Sequence, residues 1–178
     1  GWRAGGLIRH AGACGGQGLE TAWTWCAFDA RPGVARGAER WGEVQRHPST
    51  RDAIAALQRE GYRIVATTPH REDTTPETFD VTRGPFALVF GTEHAGISDE
   101  VIASADEFLR IPMCGLVESL NVSASAAILI YMLSERVRQS VAGWRLTPAE
   151  HDAVLLAWLC LTVQAAAGVR RRRFGAAD

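Results

Sequence analysis

The chain has 178 residues, of which 47% are hydrophobic and 22% charged, with a formal net charge of −1. These proportions suit a globular domain with a sizeable core and exclude a disordered chain, a collagen-like repeat and a coiled coil. The longest apolar runs, 126–133 and 153–161, fall short of a bilayer span, and Arg3, Arg9 and His10 interrupt any leader-like start. Residues 4–14 read as a short helix ending at Gly15-Gly16, and 20–25 (ETAWTW) as a strand. Residues 29–42 are loop-like. Ser49 or Thr50 caps a helix over 51–60 that buries Ala53, Ile54 and Leu57 and ends at Gly61. A strand is expected over 62–68 and a loop over 69–83. The apolar run 85–90 (PFALVF) suits a strand in the middle of a parallel sheet. Ser98 caps a helix through Ala105, a strand covers 107–111, and a helix with a wide apolar stripe covers 123–139. Thr147, Pro148 and Glu150 open a last helix with a capping box, running to about Val169.

Helix and strand alternate, so the fold class is α/β with a mostly parallel sheet flanked by helices. Such sheets bind ligands at the carboxyl ends of their strands. Three segments fall there: 66–68 (ATT), 91–96 (GTEHAG) and 112–121 (PMCGLVESLN). The GTEHAGIS stretch is neither a dinucleotide fingerprint nor a phosphate loop with its lysine, and alone it reads as a strand-to-helix turn. Ser119 and Asn121, taken alone, read as helix caps. Cys14, Cys26, Cys114 and Cys160 stand apart, with no CxxC pair and no zinc-type spacing, which points to reduced thiols in a cytoplasmic protein without a metal site. The five histidines likewise show no metal spacing. All 19 basic residues are arginine, and four stand together at 170–173. That run reads either as a solvated tail or as an RNA clamp, because Arg forks grip phosphate. Trp23, Trp25, Trp41, Trp144 and Trp158 read as core or interface residues, with base stacking as the other role open to them. A start at Gly1 rather than Met points to a fragment or a processed form.

Two strings, FALVFGTEHAGIS and FLRIPMCGLVESLNVSASAAILIY, resemble motifs two and three of the SpoU/TrmH family of RNA ribose 2′-O-methyltransferases, and AGGLIRHAGACG resembles motif one. The resemblance runs from about Ala4 to Leu133. It implies a C-terminal trefoil knot, S-adenosylmethionine as cofactor, an RNA substrate and a homodimer, with no membrane partner. It divides the chain into a knotted methyltransferase domain, 1–143, and a C-terminal helix with an Arg-rich tail, 144–178. Cofactor contacts are implied at Thr67, Gly91, Ile111, Met113, Ser119 and Leu120. Catalytic positions are implied at Arg9, Glu93, Ser119 and Asn121. GAERW at 37–41 and the 49–68 stretch look more like the tRNA-modifying branch than the ribosomal one, with guanosine 18 of tRNA as the implied target. The alternatives are an rRNA 2′-O-methyltransferase and a catalytically impaired RNA-binding paralogue. Arg3 stands where the family carries Asn, six residues before Arg9, and that departure is the feature favouring the impaired form.

Overall fold

The structure is a computed structural model that describes residues 18–22, 43–69, 71, 74–92, 96–116 and 120–162. The chain divides into two compact units, Gly1–Val141 and Ala142–Asp178. In the first unit the elements are β1 (Gly18–Ala22), β2 (Glu43–His47), α1 (Thr50–Arg59), β3 (Arg63–Thr67), β4 (Phe86–Phe90), α2 (Asp99–Ser104), β5 (Glu107–Leu109) and α3 (Val122–Ser140). The second holds α4 (Pro148–Thr162). The expected helix over 4–14, the loop over 29–42, the end of the strand over 20–25 and the tail beyond 162 lie outside the described residues.

All described strand pairs are parallel: β1 with β2, and β3 with both β4 and β5. The three-stranded sheet has the order β4-β3-β5. Among the described strands β3, not β4, is the central one, so there the 85–90 run lies beside the middle rather than in it. The apolar run of β4 has another cause, since its alternate residues serve both faces of the sheet. Phe86, Leu88 and Phe90 pack against one core cluster, and Ala87 and Val89 against the other. The first cluster joins Val65 and Leu109 to Leu129 and Leu133 of α3 and to Phe79 and Val81. The second joins Ile64, Ala66 and Phe108 to Ile54 of α1 and Val101 of α2. The period-two alternation of β3 thus feeds two helical layers.

The helices start where side chains replace missing backbone partners. Ser49 is the cap of α1, accepting from the Asp52 amide at 3.1 Å, which decides between Ser49 and Thr50. Ser98 caps α2 through the Val101 amide. In α3 the buried positions Ala126, Leu129 and Leu133 recur at helical spacing. Arg136 ties that helix to the preceding turn by donating to the carbonyls of Pro76 and Phe79, both at 2.6 Å.

The expected capping box of α4 forms. Glu150 accepts from the Thr147 hydroxyl at 2.7 Å and the Thr147 amide at 2.8 Å. The Thr147 hydroxyl, followed by its amide, holds the Glu150 carboxyl below the usual glutamate range. A lowered folded value means the box contributes fully above the pH at which an unfolded glutamate titrates. Its contribution fades as pH falls through the folded value. Carboxyl-carbon NMR should therefore give Glu150 a lower midpoint than free glutamate, and Thr147→Val should raise it.

Candidate functional site

Because β3, β4 and β5 are parallel, their carboxyl ends share one edge. Thr67 stands in register with Phe90 on one side and Leu109 on the other. Gly91 follows Phe90, and residues 111–116 leave β5 from the same edge. Three of the expected cofactor positions, Thr67, Gly91 and Ile111, are thereby neighbours in space rather than in sequence. Thr67 donates its hydroxyl to the Val89 carbonyl at 3.0 Å, so the side chain is fixed across the strand pair and its oxygen still accepts. Thr68, next along, is buried at the sheet edge, and its amide donates to the Leu109 carbonyl.

The 91–96 segment is closed by a reciprocal pair of backbone bonds between Thr92 and Gly96, both 2.9 Å. Gly96 has φ +64, a left-handed conformation that glycine adopts without strain. A Cβ on Gly91 would overlap the Gly96 carbonyl and lie 2.5 Å from the Ile97 nitrogen. The chain's own backbone therefore requires glycine at 91. Composition could not reveal this, because the neighbour is made by the loop closure.

Ile111 and Met113 are half-buried, whereas Cys114, Leu116 and Leu120 are exposed. Asn121 caps α3, accepting from the Ser123 amide at 2.9 Å, so its reading as a helix cap holds. Arg9, Glu93 and Ser119 lie outside the described residues, as does Arg3. Among the described residues no cluster of His, Cys, Asp and Glu is built to hold a metal, and no helix is long and apolar enough to cross a membrane.

Two other polar features lie elsewhere. Arg63 and Arg83 converge on Glu107, with Arg63 over the rings of Phe79 and Phe86 at 5.1 and 5.9 Å. Arg63 and Glu107 begin β3 and β5, so this cluster sits at the amino edge of the sheet, opposite the site, where it clamps strand starts. A shallow cavity of about 290 Å³ lies between α1 and α2, bordered by the Arg51–Glu100 ion pair.

Residues 4–131 match the profile of the SpoU rRNA Methylase family. The tRNA (guanosine(18)-2′-O)-methyltransferase of Escherichia coli is 35% identical over 136 residues, covering 75% of this chain and 58% of that protein. The enzyme of that name from Thermus thermophilus is 34% identical over 126 residues, covering 69% of this chain and 64% of that protein. The chain thus spans about three fifths of the curated relatives it matches. Among solved structures, the Aquifex aeolicus TrmH/SpoU tRNA modifying enzyme superposes with a TM-score of 0.78 at 25% identity, over 91% of this chain and 83% of that one. AviRb from Streptomyces viridochromogenes, solved in complex with AdoMet, superposes with a TM-score of 0.69 at 25% identity, over 78% of this chain and 57% of that one. With the family profile covering most of its length and its parallel strand ends carrying the matched segments, the chain belongs to the SpoU methylase family.

Proposed function

We propose that this chain transfers a methyl group from S-adenosylmethionine to a ribose 2′-hydroxyl in RNA, with guanosine 18 of tRNA as the target. The observation that supports this most is the meeting of Thr67, Gly91 and the 111–116 loop on one sheet edge, all within the span matched by the family. The residues there suit the cofactor. Ile111, Met113 and Leu120 offer apolar surface for a purine ring, and Thr67 offers a fixed hydroxyl oxygen. When bound, the sulfonium supplies an activated methyl group. The chain's own part is to align the hydroxyl oxygen with it, which is catalysis by positioning, while the hydroxyl proton passes to the adjacent RNA phosphate that Arg9 holds.

Arg9 binds the phosphate next to the target and stabilises charge on the ribose oxygen. A guanidinium stays protonated in proteins, so it serves as an electrostatic anchor better than as a base. Glu93, Ser119 and Asn121 supply the remaining polar contacts, with Ser119 also facing the cofactor. Residues 1–143 form the methyltransferase domain, with its C-terminal part threaded as a trefoil knot, and 144–178 form an accessory helix and basic tail. The working form is a cytoplasmic homodimer. Support for association comes from Tyr131 of α3, 62% exposed, and from Leu155, Leu156 and Leu159 of α4, each more than 40% exposed.

Arg3 favours a second reading, an RNA-binding relative without transfer. Two measurements separate the readings: calorimetric binding of S-adenosylmethionine, and transfer of tritiated methyl to total tRNA and total rRNA. Binding with label in tRNA supports the proposal. Binding without label supports the impaired form, label in rRNA alone moves the substrate, and absence of binding rejects the site.

A further inference from the structure

Most described arginines are committed to partners within the protein. Arg51 pairs with Glu100, Arg63 and Arg83 with Glu107, Arg138 with Glu135, and Arg136 binds two carbonyls. Arg71 differs. Its guanidinium carbon lies 4.4 Å from the centroid of the Phe108 ring. The residue is exposed, and among the described residues no carboxylate or carbonyl takes its donors. Stacking on a ring occupies one face of the guanidinium and leaves the in-plane donors pointing outward.

The ring is held in place, and so are Thr68 and Thr74, the residues on either side of Arg71 in the sequence. Phe108 is 7% exposed, packed with Ile54, Ile64, Ala66 and Val101. Thr68 bonds the Leu109 carbonyl through its amide on the inner edge of β5, and Thr74 lies against the outer edge. There Thr74 donates its amide and hydroxyl to the Phe108 carbonyl at 3.1 and 2.8 Å and accepts from the Arg110 amide at 2.9 Å. Arg71 lies between Thr68 and Thr74 in sequence, four residues beyond Thr67 at the carboxyl end of β3, and the ring beneath it packs on the face of α1 and α2. A long side chain ordinarily loses rotamer freedom when it grips an anion, and stacking on a fixed ring reduces that loss in advance. Glu72 and Asp73 follow in sequence, so Arg71 is distinguished by its held geometry and not by a basic patch.

We propose that Arg71 is a substrate-positioning residue that grips a backbone phosphate of the RNA. This rests on the function proposed above. The test is filter binding of tRNA across ionic strengths of about 50 to 200 mM, for the parent chain, Arg71→Ala and Arg71→Lys, with S-adenosylmethionine affinity and melting temperature measured alongside. Loss of one phosphate contact should raise the Kd for tRNA about tenfold and reduce the slope of log K against log salt by about one. Cofactor affinity and melting temperature should stay as in the parent. In turnover assays KM should rise with kcat preserved, as expected for uniform binding. Lysine should keep the salt slope and recover only part of the affinity. If Arg71→Ala binds tRNA like the parent with the same slope, the proposal is overturned and the pair merely covers the ring. If the variant loses cofactor affinity while tRNA binding is unchanged, the guanidinium serves the cofactor and the proposal is likewise overturned. A parent chain that binds no tRNA would instead overturn the functional reading, and this inference with it.

Discussion

Replacing Arg9 with Ala is expected to lower methyl-transfer turnover by about a thousandfold or more, equivalent to roughly 4 kcal/mol of transition-state stabilisation. The expectation rests on the motif AGGLIRHAGACG, in which Arg9 occupies the matched position. Because the proposed contact is to RNA as charge develops on the ribose oxygen, S-adenosylmethionine affinity should barely move. Arg9→Lys keeps the charge but loses the planar fork, so it should restore little. Single-turnover kinetics with saturating cofactor measure both. Substantial rescue by Lys would show that a point charge suffices. A rate for Arg9→Ala within about threefold of the parent, under roughly 0.7 kcal/mol, would remove Arg9 from the site. Arg3→Asn is the companion variant. A large gain in rate would mark Arg3 as silencing, and no gain would mean the chain meets the requirement another way.

Gly91 carries the second large effect, and the structure alters its cause. The cofactor contact that the resemblance implies at Gly91 would by itself make a valine there an obstacle to the ligand. The first obstacle is now the protein itself, since even a Cβ falls 2.5 Å from the Gly96 carbonyl oxygen. Backbone cannot rotate away as a side chain can, so the Thr92–Gly96 closure must open. Gly91→Ala is expected to cost about 3 kcal/mol of stability, and Gly91→Val to abolish cofactor binding as well. Gly115 is the control in the neighbouring loop, because a Cβ there meets nothing within 4 Å. Gly115→Ala should change stability by less than about 0.5 kcal/mol. Thermal melts and calorimetry on all three variants check this. A Gly91→Ala protein as stable as the parent, with parental cofactor affinity, would contradict the loop geometry.

Elements whose sequences carry their own period or cap were legible. The helical spacing of α1 and α3, the Ser49 and Ser98 caps and the strand of β3 all appear in the structure. β2 was not legible, and its residues say why. Glu43–His47, EVQRH, has one β-branched residue among polar ones, so its strand state depends on pairing with β1. The strand expected over 107–111 stops at Leu109, where its register with β3 ends at Thr67, although the Arg110 amide still bonds the Thr74 carbonyl on the other edge. That bond joins residues 36 apart in sequence, which no local pattern encodes. The order β4-β3-β5 is likewise a property of packing, since an apolar run reports coverage of both faces and not a central place.

The candidate site followed the same division. The alternation of elements by itself identifies the carboxyl ends of the strands. Thr67, Gly91, Ile111 and Met113 are at or just beyond those ends. Arg71 is not legible in the sequence, because HRED in a loop has no pattern that distinguishes it from solvated charge. Only the placement of Phe108 beneath it does so.

The measurement that tests the central claim most directly uses two tRNA transcripts differing at one atom, with guanosine or 2′-deoxyguanosine at position 18. Each is incubated with the chain and S-adenosylmethionine labelled in the methyl group. The account predicts stoichiometric label in the first transcript, recovered as 2′-O-methylguanosine, and none in the second, which lacks the accepting oxygen. Equal labelling of the two, or none in either with cofactor bound, would contradict it.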